Sequence, residues 1–249
     1  MRHMAFVPAC FSFATSDRIA VVAPHPDDEV LGCGALLAAA AQAGVPVSVA
    51  YITDGSQSHP ASRRFPPQRI RVIREREALA ALASCGFAAT TATFFRVPDG
   101  CCETLAAHDR PDVLARLAAA FAAFEPTIVL APWRRDPHPD HRAVARLART
   151  AFVRLVAAAP LPARPRYVEY PVWLQERGNA SELPRDDEVR RLAFAFGAAL
   201  GERKRAALNA HRSQTGALID DDPQAFRLSE AMFERACASP ESFYEACDV

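Results

Sequence analysis

The sequence predicts a three-layer α/β sandwich built on a mostly parallel central sheet, and three observations carry that expectation. Short apolar, partly β-branched runs alternate with longer helical patterns, as in successive strand–helix–strand units. Acids followed by glycine stand at the ends of two of those runs, in Thr53-Asp54-Gly55 and Pro98-Asp99-Gly100. Two stretches rich in His, Pro and Asp lie at strand-to-helix junctions, where open α/β sheets bind their ligands.

The elements follow in order. Arg18 to Val22 is a buried strand, and Val30 to Ala43, rich in Ala and Leu, is a helix with Gly44 as its C-cap. Val45 to Thr53 is a second strand. Ser56 to Gln68, rich in Ser, Pro and Arg with His59 inside it, reads as a long loop, either a substrate-contacting lid or a disordered segment. Arg69 to Ala83 carries Ile70, Ile73, Ala80 and Leu82 at helical spacing and closes at Cys85-Gly86. Thr90 to Val97 and Thr127 to Ala131 are strands, each followed by a helix, Pro111 to Phe124 and Arg142 to Ala158.

In the C-terminal third, Arg166 to Leu174 reads as a strand in which Pro171 favours a sheet edge or a strand end. Asn179 to Asp187 is a loop, Leu192 to Phe196 fits strand or helix, and Gly201 to His211 is helical. His211-Arg212-Ser213-Gln214 leads through the acidic turn Asp220-Asp221-Asp222-Pro223 to a final helix and the aromatic pair Phe243-Tyr244.

At 249 residues the chain suits one domain, 1–249, better than two. Its formal net charge is zero and 50% of its residues are apolar, which argues against a general nucleic-acid or anionic-membrane surface. Lys204 is the only lysine. The seven cysteines, Cys10, Cys33, Cys85, Cys101, Cys102, Cys237 and Cys247, lack the spacing of a structural zinc site and read as reduced thiols of a cytoplasmic protein. Met1 to Ala14 is a poor secretion signal, because Pro8 and Cys10 interrupt its apolar part. No apolar run approaches the roughly 20 residues that span a bilayer.

The chemistry concentrates in two motifs. In His25-Pro26-Asp27-Asp28-Glu29, His25 and Asp28 offer the imidazole nitrogen and carboxylate oxygen that a catalytic zinc or similar ion accepts. Pro24 and Pro26 stiffen the backbone around His25. With Asp28 on a metal, Asp27 is placed to take a proton from water, although a turn with a helix N-cap explains the same acids. In the second motif, His138-Pro139-Asp140-His141, the two histidines are three apart at a helix start and can face the same side.

Together the motifs resemble the PIG-L or LmbE-like family of zinc-dependent N-deacetylases, which remove an acetyl or other acyl group from the amine of glucosamine-type sugars. The resemblance rests on His25-Pro26-Asp27-Asp28-Glu29 with Leu31-Gly32-Cys33-Gly34, Thr53-Asp54-Gly55, Arg74-x-x-Glu77 with Gly86, Pro98-Asp99-Gly100 and His138-Pro139-Asp140-His141. It implies a Rossmann-like fold, with His25, Asp28 and His141 holding Zn²⁺ or another divalent ion such as Fe²⁺, and Asp27 as the base toward a metal-activated water. It further implies that His138 stabilises the oxyanion or protonates the departing amine. Arg74 and Asp99 would line the sugar pocket, although a structural Arg74–Glu77 ion pair fits as well. Asp140 would orient a histidine from behind the metal or cap the helix. Residues 1–17 would form an N-terminal extension and 166–249 would shape the pocket, with substrate choice in the loops Ser56 to Gln68 and Arg177 to Asp187. The expected partner is a small N-acyl amino sugar or glycoconjugate. Gly32 and Gly34 are expected to serve close helix–sheet packing and not a dinucleotide. A hydrolase of a non-sugar amide or ester, and a non-catalytic binding protein with a vestigial site, are the alternatives.

Overall fold

The computed structural model describes residues 8–101, 111–158 and 164–247; Met1 to Val7 of the expected extension, and Cys102, lie outside them. The elements are β1 (Ala9–Cys10), β2 (Ile19–Ala23), α1 (Asp28–Gln42), β3 (Val47–Thr53), α2 (Pro67–Cys85), β4 (Ala92–Val97), α3 (Pro111–Phe124), β5 (Ile128–Pro132), α4 (Pro139–Ala158), β6 (Arg166–Tyr170), α5 (Leu174–Arg177), β7 (Val189–Phe194), α6 (Ala198–Ala210), α7 (Glu230–Cys237) and β8 (Glu241–Ala246). Among the described residues the strands form one eight-stranded sheet in the order β1-β7-β8-β6-β5-β2-β3-β4. Only β8 runs antiparallel to its neighbours, β6 and β7, and every other pairing is parallel.

The alternation of side chains across each strand divides the core in two. Ile19, Val21 and Ala23 of β2 enter a cluster with residues of α1, α2, α6 and α7. Ala20 and Val22 enter a second cluster with residues of α3 and α4 on the opposite face. A sheet covered on both faces needs apolar residues at nearly every position, which is why β2 and β5 read as unbroken apolar runs.

Helix α1 is broken at Cys33 (φ −145°, ψ 23°), and the break has a definite chemistry. Gly32 passes so close to the sheet that a Cβ there would lie 2.1 Å from the ring of Tyr170. Beyond the break the N–H groups of Ala35 and Leu36 donate to the two carboxylate oxygens of Glu241 at 2.7 and 2.9 Å. The freed carbonyl of Leu31 accepts from Lys204 Nζ at 3.1 Å, and Lys204 pairs with Glu241 at 2.7 Å. The one lysine of the chain is therefore a buried staple between α1, α6 and β8.

Differences from the sequence reading fall mainly in the C-terminal third. The strand expected over Arg166 to Leu174 stops at Tyr170, and it lies inside the sheet between β5 and β8, so Pro171 marks an end and not an edge. Of the ambiguous Leu192 to Phe196, the first three residues belong to strand β7, which ends at Phe194. Phe243 and Tyr244 lie on β8, an extra strand after the final helix, and the extension contributes β1. Both motif helices start early: Asp28 opens α1, and Pro139 opens α4 at the first-turn position that proline tolerates.

Candidate active site

The carboxyl ends of β2, β3, β4 and β5 deliver the turns that build the site. Asp27 follows β2 with φ 137°, a backbone state that costs a non-glycine residue about 1–3 kcal/mol. Its carbonyl receives the N–H groups of Val30 and Leu31, but its carboxylate makes no capping bond, so the N-cap reading does not account for the acid. The carboxylate instead meets Arg74 Nη2 at 3.0 Å. Arg74, buried in α2, also donates to the carbonyls of Pro26 at 2.7 Å and Gly55 at 3.1 Å. Gly55 (φ 61°) lets the chain pass close to this guanidinium, since a Cβ there would sit 2.6 Å from Arg74 Nη1. The Arg74–Glu77 pair does not form; Glu77 accepts the backbone N–H and hydroxyl of Ser213.

His25, Asp28 and His141 come together as one buried group. Their ligand atoms lie within 4.8 Å of one another. His25 Nδ1 and His141 Nε2 stand 3.1 and 3.2 Å from the same oxygen, Asp28 Oδ2. His141 is fully buried, yet neither of its ring nitrogens makes an aligned hydrogen bond. An unpartnered buried polar atom costs about 1–3 kcal/mol, and a cation shared by these donors would satisfy it. Two imidazole nitrogens and one carboxylate are the donor set of an open catalytic divalent-metal site.

Carboxylates also stand beside the other ring nitrogens of both histidines. His25 Nε2 lies 3.1 Å from Asp99 Oδ1 and 3.2 Å from Asp140 Oδ2. Asp140 thus backs His25, and it also receives the Gly100 N–H at 3.0 Å. Asp99 is held in turn by the N–H of Gln57 at 3.0 Å. Behind His141 stands Asp136, 3.5 Å from Nδ1. Asp136 accepts the backbone N–H groups of His138 (3.0 Å), Val172 (3.2 Å) and Trp173 (3.0 Å), and so ties three segments to the site. Sequence reasoning assigns Asp136 no role, because nothing in an Arg-Asp-Pro triplet reports that its carboxylate is buried beneath another residue's ring.

The electrostatics separate the acids. Burial pushes Asp27 up to about 7, against the guanidinium of Arg74 and with the help of Asp28. Asp28 is drawn well below the usual carboxylate range, because contact with His141 and His25 outweighs its burial. His138 is pushed down to about 4 by burial and by its neighbours His25 and His141. Its ring lies 5.0 Å from each of those rings. Asp140 N–H donates to His138 Nδ1 at 3.2 Å, which leaves the proton of the neutral imidazole on Nε2.

A cavity of about 260 Å³ opens beside these groups, lined by His25, Asp27, Asp28, Arg74, Asp99, His138 and, from the C-terminal third, Trp173, Arg177, Gln214 and Phe226. Ser58 of the long loop lines it too. That loop is held and not disordered: Asp222 accepts the Ala61 N–H at 2.8 Å, and Asp221 accepts those of Arg63 and Arg64 at 3.0 Å. Gln214 lines the cavity from the motif His211-Arg212-Ser213-Gln214, whose spacing by itself points to no chemistry.

A profile of the PIG-L family, described as GlcNAc-PI de-N-acetylase, matches residues 20–152, more than half of the chain and all three candidate ligands. The chain belongs to the PIG-L family. PIG-L proteins are metal-dependent N-deacetylases, and this PIG-L chain is an N-deacylating hydrolase with a candidate divalent-metal centre. A probable N-acetyl-alpha-D-glucosaminyl L-malate deacetylase 2 from Bacillus cereus is 29% identical over 217 residues, 86% of this chain and 91% of that protein. The fold is shared with the A40926 pseudoaglycone deacetylase Dbv21, at 24% identity, 92% and 97% coverage of the two chains and a TM-score of 0.67. It is shared also with GalB, the 4-carboxy-2-hydroxymuconate hydratase of Pseudomonas putida KT2440, at 20% identity, 88% and 82% coverage and a TM-score of 0.65. A deacetylase and a hydratase on one fold mean that architecture alone does not select the reaction. Among the described residues no helix is long and apolar enough to cross a membrane.

Proposed function

We propose that the protein removes an acetyl or other acyl group from the amine of an N-acyl amino sugar or its conjugate, with His25, Asp28 and His141 holding Zn²⁺ or, as the alternative, Fe²⁺. The observation that carries this reading is the convergence of His25 Nδ1 and His141 Nε2 on Asp28 Oδ2 beside the strained, Arg74-paired Asp27. Family membership and the amino-sugar deacetylase from Bacillus cereus support the substrate class.

A cation in this position would polarise the acyl carbonyl and make water acidic near neutral pH. The protein's own groups supply the rest. Asp27, which lines the cavity and whose carboxyl is raised to about 7 by burial, accepts the proton of the attacking water and passes it to the amine nitrogen as the C–N bond breaks. His138, neutral and protonated on Nε2, donates to the acyl oxygen as it gains negative charge. Asp99 retains free lone pairs beyond those turned on His25 and Gln57 and is placed to accept from a sugar hydroxyl. Arg74 borders the same cavity and fixes the carboxylate of Asp27. Asp140 orients His25. The whole chain acts as one domain in which residues 166–249 shape the pocket, a reading supported by the cavity positions of Trp173, Arg177, Gln214 and Phe226. The seven dispersed cysteines, without the spacing of a structural zinc site, support a reducing, cytoplasmic setting.

The test is acetate release from N-acetylglucosamine conjugates by wild-type protein and by Asp27→Ala. The variant is expected to keep its metal and to lose about 10²–10⁴-fold in kcat. Full activity in Asp27→Ala would remove Asp27 as the base.

A further inference from the structure

Glu29, the last acid of the first motif, is neither a candidate ligand nor the base, yet it is fully buried in the first turn of α1. Its Oε2 accepts the backbone N–H of Asp27 at 3.1 Å. A side chain inside the helix thus satisfies the N–H of the residue that opens it, as the glutamate of a capping box does. The bond falls on the residue whose backbone is strained (φ 137°) and whose carboxylate is set against Arg74. A strained backbone state persists only where its surroundings over-determine it.

The second oxygen of Glu29 has no aligned hydrogen bond, and His211 Nε2 lies 3.9 Å from it. His211 closes α6, is itself fully buried, and neither of its ring nitrogens makes an aligned bond. The Tyr51 hydroxyl of β3, also buried without an aligned partner, stands against the same carboxyl. Burial, with Arg74 nearby, pushes His211 down to about 3, so its ring is neutral and offers one donor and one acceptor nitrogen. Buried polar atoms without aligned partners weaken a fold. A chain that only needed to fill this space would do better with leucine at 211.

We propose that Glu29 is a positioning residue for the base and that His211 braces it: support runs from the end of α6 through Glu29 to the backbone of Asp27 and fixes where the Asp27 carboxylate points. This rests on Asp27 being the base and adds the residues that hold it. Neither Glu29 nor His211 touches the substrate; both act through Asp27. The brace also ties the C-terminal third of the chain to the turn after β2, since His211 leads directly to Gln214, which lines the cavity.

The test is steady-state kinetics on one N-acetyl amino sugar, with metal per chain and thermal unfolding measured on the same variants. Glu29→Met removes the acceptor of the Asp27 N–H and is expected to lower kcat about tenfold to hundredfold at little change in KM, the scale of a displaced reacting group. Glu29→Gln keeps an oxygen for that N–H and should retain most of the kcat. His211→Leu should lower kcat while leaving the unfolding temperature unchanged or higher, since it removes two unpartnered buried nitrogens. A residue that served folding alone would lose stability and keep kcat. The double variant Glu29→Met/His211→Leu should be no slower than Glu29→Met, because the two act along one line. Wild-type kcat in Glu29→Met or in His211→Leu, equal losses in Glu29→Met and Glu29→Gln, metal lost along with activity, or losses that multiply in the double variant would each overturn the proposal. Should Glu29→Met not fold, His211→Leu decides by the same two readouts. Asp27→Asn separates this proposal from the reading beneath it: full activity there would remove Asp27 as the base, whereas an inactive Asp27→Asn beside a fully active Glu29→Met would remove only the positioning role.

Discussion

Arg74 Nη2 lies 3.0 Å from Asp27 Oδ2, a buried pair that joins α2 to the turn after β2. The two terminal nitrogens of the guanidinium also reach the carbonyls of Pro26 and Gly55, while its buried Nε has no hydrogen-bond partner. Arg74 therefore acts first on the carboxylate proposed as the base. Arg74→Met is expected to lower kcat about tenfold or more with a smaller change in KM, since it misplaces a group used in the transition state. A rise in KM at unchanged kcat would instead make Arg74 a holder of the sugar. Steady-state kinetics on one N-acetyl substrate separates the two.

His25, Asp28 and His141 also make a prediction that needs no activity. Asp28→Asn and His141→Ala should each lose bound divalent metal, read as metal per chain after dialysis, while His138→Ala should keep it. Retention in His141→Ala with loss in His138→Ala would move the ion to the neighbouring group His25, His138 and Asp140, whose donor atoms also lie within 4.8 Å of one another.

Asp136 is expected to matter although it touches no ligand position directly. Its carboxylate stands 3.5 Å from His141 Nδ1 and ties down the backbone at His138, Val172 and Trp173. Partners of this kind typically cost 10- to 100-fold in metal affinity when removed. Asp136→Asn should weaken zinc binding by about that factor in a chelator competition. Unchanged affinity would reduce Asp136 to a fastener of the loop before α5.

Lys204 carries the stability prediction. Its ammonium is buried between Glu241 and the Leu31 carbonyl. Lys204→Met leaves the Glu241 carboxylate without its counter-charge, a change that costs about 3–5 kcal/mol when a buried pair is broken. Urea unfolding should report that loss. A loss under about 1 kcal/mol would mean that the Ala35 and Leu36 N–H groups alone satisfy Glu241.

The sheet order around the site was legible because strand, turn and helix obey local rules: β2 to α4 appear within a few residues of where apolar patterning and capping place them. The candidate ligands were legible because proline and acid at a strand end have few structural reasons to recur. What stayed hidden is long-range. Pairing of β1 with β7, and of β8 between β6 and β7, depends on contacts far apart in sequence that no window contains. The partners of Arg74 and Glu77 lie on other elements for the same reason: three residues apart on one helix, they turn to Asp27 and Ser213. Asp136, Trp173 and Gln214 carry no signature of their own, since their importance comes from burial beside residues that do.

The most direct test is acetate release from an N-acetylglucosamine conjugate, followed as bound metal is stripped with a chelator and zinc is added back. Activity should vanish with the metal and return in proportion to zinc, up to one ion per chain. Acetate release that persists in fully stripped protein would contradict the metal centre of His25, Asp28 and His141, and a metal-loaded protein that leaves every N-acyl amino sugar intact would contradict the substrate class.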